Sequence, residues 1–385
     1  MKDWKTKLQH LFERIDDFSD EIRYRIDKFD EREDEIFILP FNGFGNHEKI
    51  IVKGRVLEKS DASLAAETDS RWRNLVRMFH LFETDEVPHA RLKAVFGNAE
   101  SEIRADAEGY FDIEFRINER KENDLWHALE LELLEPAVEN HARTSGQILI
   151  PPASAKFAVI SDIDDTVIKT NVRNKLKMLA TTVLTNEHTR LPFEGVAEFY
   201  RALQNGRSGN ENNPIFYVSS SPWNLYTLIT EVFKKREIPP GPLFLKDFGT
   251  HTVFKASDHR AHKLENIRRI LDTYPNLPFV LIGDDGEQDP QIYRQIVGEY
   301  AGRIRVIYIR KVGGSGGNED EVMNLIREVR DAGSQIIFAP DSEYAALHAA
   351  GENLIAAHKL PEIREEKLLD RQAPKPEDLT EDDLM

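Results

Sequence analysis

FAVISDIDDT, residues 157–166, is the stretch on which the fold turns. Its first half is apolar on consecutive positions, without the in-and-out alternation of a half-exposed strand. A strand of that kind is buried on both faces, which is the habit of parallel sheets covered by helices. Further apolar runs follow at 215–218, 243–245, 279–282, 305–309 and 335–338, separated by stretches with helical spacing. Strand and helix alternating over 157–358 predict a doubly wound parallel α/β sheet. In such sheets ligands bind beyond the C-terminal strand ends, beside the point where strand order reverses.

The residues that follow each run therefore carry the chemistry. After the first comes Asp162-Ile163-Asp164-Asp165-Thr166, after the second Ser219-Ser220-Ser221-Pro222-Trp223, and after the fourth Gly283-Asp284-Asp285-Gly286-Glu287-Gln288-Asp289. Lys263 lies in a helical stretch, 262–271, between the third and fourth runs. Carboxylates at two strand ends of one sheet repel unless a cation sits among them. With only oxygen ligands on offer that cation is hard, and Mg2+ fits best. A metal held there can also neutralise charge on a phosphoryl group in transfer.

These four stretches resemble the motifs of the haloacid-dehalogenase superfamily. More narrowly, SDIDDT, YVSSSPWNL and LIGDDGEQDPQIY resemble the catalytic domain of the actin-patch-associated phosphatidate phosphatases and their bacterial relatives. The resemblance implies an aspartyl-phosphate mechanism. Asp162 is then the nucleophile, and Asp164 protonates the leaving alkoxide and later deprotonates water. Thr166 supports their turn. Ser219, Ser220 and Lys263 face the phosphoryl oxygens. Asp162, Asp164 (through its backbone carbonyl) and Asp284 hold the metal, with Asp289 a ligand or a support. The sequence departs from the expected pattern twice, with Ser220 for an asparagine and Asp285 for a serine. Plainer readings stand beside these. Asp165 and Asp285 suit solvated turns, and Ser220 and Ser221 suit a turn or a helix cap. Trp223 fits the core as well as a substrate lip. Lys246 and Lys255 compete with Lys263. The glycine-rich stretch 313–317 lacks the Lys-Ser/Thr of a phosphate loop and reads as a connector.

Outside the α/β region, residues 1–34 predict an amphipathic helix. Trp4, Leu8, Leu11, Ile15, Phe18, Ile22 and Phe29 recur by threes and fours, interrupted at Arg25. Such a stripe offers a seam for a homodimer, although packing on its own chain is the preferred reading. Residues 35–135 hold short alternating runs (49–57, 75–83, 90–96, 110–117) between turn signals. They predict a β-sandwich-like domain, with 62–77 helical or looped. Residues 136–156, with Pro136, Pro151 and Pro152, read as a linker. Residues 359–385 read as an acidic tail.

Composition narrows the functional classes. The chain of 385 residues has 51 basic and 68 acidic side chains, a formal net charge of -17, which disfavours nucleic acid as a partner. It has no cysteine, so thiolate chemistry and disulfides are excluded. No signal peptide or membrane span is legible, and the expected setting is cytoplasmic, with peripheral membrane contact. The intervals where this superfamily inserts a cap are short, so the site is expected to be nearly capless and open to a large substrate. Segment 169–185 is basic and then apolar, through Lys169, Arg173, Lys175 and Lys177 followed by Met178, Leu179 and Val183. It reads as a lip toward phospholipid at a membrane surface, or as an ordinary surface helix. Three functions remain in play. The resemblance favours a Mg2+-dependent phosphatase converting phosphatidate to diacylglycerol. A phosphatase for another exposed phosphomonoester and a catalytically inactive scaffold are the alternatives.

Overall fold

The computed structural model describes residues 35–59, 86–117, 124–137, 142–168, 193–246, 256–286, 288–312 and 319–373. The expected helix at 1–34, the runs at 62–77 and 75–83, the segment 169–185, Lys255 and the connector 313–317 lie outside them. The seam for a homodimer therefore does too.

Six strands form a wholly parallel sheet: β9 (Ala158–Asp162), β10 (Ile215–Pro222), β11 (Leu243–Lys246), β12 (Phe279–Asp284), β13 (Ile304–Arg310) and β14 (Gln335–Ala339). Their order across the sheet is β11-β10-β9-β12-β13-β14. Strand order thus reverses between β9 and β12, the place where such sheets open a crevice. Neighbouring residues of each strand serve opposite faces. Val159, Tyr217, Ile282 and Tyr308 meet α1 (Val196–Asn205), α2 (Tyr226–Lys235) and α6 (Ser342–Gly351). Ile160, Phe216, Leu281 and Ile307 meet α3 (Ala256–Thr273), α4 (Asp289–Glu299) and α5 (Glu319–Asp331). Two layers of helices leave these strand residues no solvent face, which accounts for runs of continuous rather than alternating hydrophobicity.

The tail assigned to 359–385 requires correction. Its first half is α7 (Leu360–Gln372), packed on α1 and α6 with Ile363 fully buried. Charged contacts also fasten it. Lys367 pairs with Asp341 at 2.6 Å and Glu343 at 2.8 Å, and Arg371 with Glu194 at 2.9 Å. The Asp370 carboxylate accepts the Gly195 amide and Glu366 the Glu198 amide, both at 2.8 Å. These two bonds satisfy open amides at the start of α1.

The β-rich domain contains β1 (Glu35–Pro40), β2 (Gly43–Gly45), β3 (Lys49–Lys59), β4 (Arg91–Phe96), β5 (Ala99–Arg104), β6 (Tyr110–Arg116), β7 (Trp126–Glu135) and β8 (Arg143–Leu149). They hydrogen-bond as one eight-stranded sheet around a single core, antiparallel except where β2 meets β8, rather than as two facing sheets. The linker at 136–156 is the second correction. Its middle is β8, which pairs with both β2 and β7. The three prolines that suggested a linker flank this strand without interrupting its ladder.

The two domains share core. Phe44 meets Phe216 and Phe244 edge-on, at 6.1 Å and 5.2 Å between centroids. Phe41 stacks on Trp223 at 4.4 Å, nearly parallel.

Candidate active site

β9 ends in Asp162, whose Cα stands opposite Val218 of β10, so Ser219 follows one position beyond it on the neighbouring strand. The chain then turns sharply. Asp165 adopts φ +53°, a left-handed conformation that Asp tolerates better than most residues. The Val167 and Ile168 amides both donate to the Ile163 carbonyl at 2.9 Å, while Asp165 N–H returns to Ile168. Ile163, Val167 and Ile168 are wholly buried. The turn is therefore anchored by its apolar residues and presents its acids.

Asp162, Asp284 and Asp289 each place a carboxylate oxygen within 4.8 Å of the others, and all three side chains are buried. Asp284 ends β12 and Asp289 opens α4, where the helix dipole favours a negative charge. Lys263, from the middle of α3, reaches this group with its ammonium 2.8 Å from Asp162 Oδ1 and 2.7 Å from Asp289 Oδ1. Asp289 Oδ2 accepts the Asp284 amide at 3.3 Å, and Asp284 Oδ1 accepts the Gly286 amide at 2.6 Å. Gly283 permits this closeness, since a Cβ there would run into the Asp289 carboxylate and the Tyr293 ring. Thr166 Oγ1 donates to Asp284 Oδ2 at 3.5 Å, tying the β9 turn to β12. Three buried carboxylates against one ammonium leave excess negative charge, and the donors are all oxygen. That set suits a hard divalent cation.

The Asp164 side chain turns elsewhere. Its Oδ2 accepts from Ser219 Oγ at 2.7 Å and from Ser221 Oγ at 3.0 Å, and Ser219 Oγ in turn accepts the Ser221 amide at 2.9 Å. Of the four residues nominated around a metal, three bring their carboxylates together while the Asp164 carboxylate faces the serines. Ser220 is half-buried. Ser221, read above as a turn or cap residue, belongs to the site. The signal for it was present, because residues two apart in an extended strand share a side. Lys246 ends β11, and Asp285 Oδ1 accepts the Val312 amide at 2.8 Å, a loop-fastening contact. Trp223 is buried and belongs to the core.

Arg310, which ends β13 opposite Asp284, also escaped the sequence reading. Its guanidinium donates to the Thr166 carbonyl at 3.3 Å and lies over the Phe193 ring. Burial lowers its pKa to about 9, against the pull of Tyr200, Glu194 and Asp341. Beneath the site, Tyr200 and Ser161 share a 2.6 Å hydrogen bond, and burial raises the Tyr200 phenol far above its usual range.

Residues 157–311, which contain every side chain of this cluster, match the family described as "Phosphatidate phosphatase APP1, catalytic domain". The chain carries a phosphatidate-phosphatase-like catalytic domain. Relatives of that domain are found in yeasts. The Saccharomyces cerevisiae protein named phosphatidate phosphatase APP1 is 29% identical over 205 residues, covering 51% of this chain and 34% of its own. An uncharacterized Schizosaccharomyces pombe protein is 28% identical over 216 residues, covering 56% and 35%. The chain thus spans about a third of the length of the curated relatives it matches. Solved structures align only loosely. A Parabacteroides merdae β-glucuronidase (7% identity, 79% of this chain and 40% of that one) has a TM-score of 0.26. A carbohydrate acetylesterase from Xanthomonas citri (10% identity, 89% and 75%) has 0.27. At such values neither bears on the catalytic domain. Among the described residues no helix is long and apolar enough to cross a membrane.

Proposed function

We propose that this chain is a Mg2+-dependent phosphatase of the haloacid-dehalogenase type, hydrolysing phosphatidate to diacylglycerol and inorganic phosphate. One observation carries the reading: a buried Asp162–Lys263–Asp284 cluster at the strand-order reversal, inside the segment that matches the phosphatidate phosphatase catalytic domain. Asp162 and Asp284 would hold the cation, which would supply charge neutralisation for the phosphoryl oxygens. Asp289, whose oxygens meet Lys263 and the Asp284 amide, would be a further ligand or a support that positions those two groups.

In the proposed reaction an Asp162 oxygen attacks phosphorus, and the bond to the diacylglycerol oxygen breaks. Asp164 gives its proton to that alkoxide, leaving a phosphorylated Asp162. Water, surrendering a proton to Asp164, then attacks phosphorus and restores the free carboxylate. Ser219 and Ser221 hold Asp164 Oδ2, which fixes the orientation of the proton-transferring group. Lys263 offsets the charge of Asp162 and of the incoming phosphate. Between α3 and β12 only residues 274–278 intervene, which leaves no room for a cap at that point. An open site suits a headgroup presented at a bilayer, so we place the protein peripherally at membranes.

Phosphate release decides the matter. The purified protein and Asp162→Asn are incubated with Mg2+ and phosphatidate vesicles, lysophosphatidate, phosphopeptides or sugar phosphates. Release from phosphatidate, lost in the variant, supports the reading. Preference for a soluble ester would transfer the assignment to another phosphomonoester, and no release from any would leave a scaffold.

A further inference from the structure

The β-rich domain lies outside the segment that matches the phosphatase family, yet its edge meets residues 223–226, which directly follow the serines of the site. Pro40 ends β1, and the next two residues form a corner before β2. That corner is itself fixed, because the Phe41 amide donates to the Lys53 carbonyl of β3 at 2.8 Å. The Phe41 ring packs against two aromatics of the catalytic domain. It stacks on Trp223 at 4.4 Å with 7° between planes and meets Tyr226 at 4.4 Å, tilted by 42°. The Asn42 amide donates to the Tyr226 hydroxyl at 2.7 Å. From β6, the Tyr110 hydroxyl reaches the Asn224 side chain at 3.5 Å.

Trp223 and Tyr226 belong to the short turn and helix that continue directly from Ser219-Ser220-Ser221-Pro222. Ser221 stands two residues before Trp223, and its hydroxyl and amide complete the bonds to Asp164 and Ser219. We propose that the β-rich domain is a positioning device for the catalytic centre: Phe41 and Asn42 hold the 223–226 segment and thereby set Ser219 and Ser221 against Asp164. This rests on the role given to Asp164 above. Phe41 touches neither substrate nor the reacting carboxylates, so it is a positioning residue and not a catalytic one. Reacting groups tolerate little displacement, and a shift of about 1 Å at a distance from the chemistry can cost about a hundredfold in rate. A residue whose amide is held by β3 and whose ring packs on Trp223 and Tyr226 resists such a shift more firmly than a solvated loop.

The test uses the full chain with Phe41→Leu, which removes the stack but keeps an apolar side chain, and Phe41→Tyr, which restores a ring. Leu131→Ala, buried in the β-rich core away from the corner, serves as the control for lost stability alone. Two readouts are taken: kcat and KM on a soluble phosphate ester with Mg2+, and amide hydrogen exchange at 219–224 compared with 279–284. Phe41→Leu should lower kcat about tenfold or more with KM within about twofold, and speed exchange at 219–224 alone. Phe41→Tyr should recover both, and Leu131→Ala should lower the melting temperature while changing neither. The proposal is overturned if Phe41→Leu leaves kcat per folded molecule unchanged, with exchange at 219–224 either unaltered or altered no more than at 279–284. Exchange needs no activity. A wild type inert toward every ester would remove the phosphatase reading and still leave exchange to decide the clamp.

Discussion

Replacing Lys263 with Met tests the electrostatics of the site without touching a carboxylate. Its ammonium lies 2.8 Å from Asp162 and 2.7 Å from Asp289, and all three side chains are buried. At an effective dielectric of about 20, each contact holds about 6 kcal/mol of gross attraction, most of it offset by desolvation. Removing the cation does not return that desolvation. It leaves Asp162, Asp284 and Asp289 facing one another, a change that costs about 3–5 kcal/mol where one member of a buried pair is deleted. In a domain of this size that corresponds to a fall in melting temperature of roughly 10 °C, measured by calorimetry in EDTA. Added Mg2+ should recover part of the loss, because a cation bound only by the folded state stabilises it by mass action. A variant whose EDTA melting temperature matches wild type would refute the reasoning, since the carboxylates would then not depend on Lys263.

Other expectations follow from the same geometry. Ser221→Ala removes one hydroxyl from Asp164, whereas Ser219→Ala removes a shorter bond and also the hydroxyl that accepts the Ser221 amide, so kcat should fall further in the second. Bonds to charged groups contribute about 1.5–3 kcal/mol, so rates should drop about tenfold to a hundredfold, and equal effects would contradict the ranking. Asp284→Asn should weaken Mg2+ binding in titration calorimetry at least tenfold, in line with the loss of a charged ligand; unchanged affinity would place the cation elsewhere. Burial, with the Asp370 and Glu198 carboxylates nearby, pushes Glu366 up to about 7 from its ordinary 4.5. Its folded value exceeds its unfolded one, so ionising it costs stability progressively as pH rises from about 4.5 to about 7. Glu366→Gln should therefore be about 2–3 kcal/mol more stable than wild type at pH 8 and no more stable at pH 4. Urea titrations giving a pH-independent difference would refute it.

What the sequence revealed and what it hid divide along physical lines. The six apolar runs coincide with the six parallel strands because burial on both faces writes itself as continuous hydrophobicity. The acids at the ends of β9 and β12 were legible because chemistry at such a sheet collects at known places. β8 was hidden because Arg143–Leu149 includes Arg, Thr, Ser, Gly and Gln, and its place is fixed by ladder bonds to β2 and β7. α7 was hidden for a similar reason. Its sequence, LPEIREEKLLDRQ, buries Ile363 alone completely among its apolar residues and is otherwise fastened through Lys367, Asp370 and Arg371. The contacts that complete the site join distant positions. Lys263 meets Asp289 across two elements, and Phe41 meets Trp223 across two domains. No local pattern encodes such a meeting. Lys263 and Asp289 were named from the motifs, but not their contact, and the overlooked Ser221 was recoverable from the two-residue period it shares with Ser219.

The most direct measurement is to identify the atom that receives phosphate. The enzyme is mixed with phosphatidate vesicles and Mg2+, quenched in acid within the first turnover, digested and sequenced by mass spectrometry. A phosphoryl group on Asp162, absent in Asp162→Asn and lost on continued incubation without quenching, is the predicted result. Turnover with no label at residue 162, or an Asp162→Asn protein that still releases phosphate, would contradict the account.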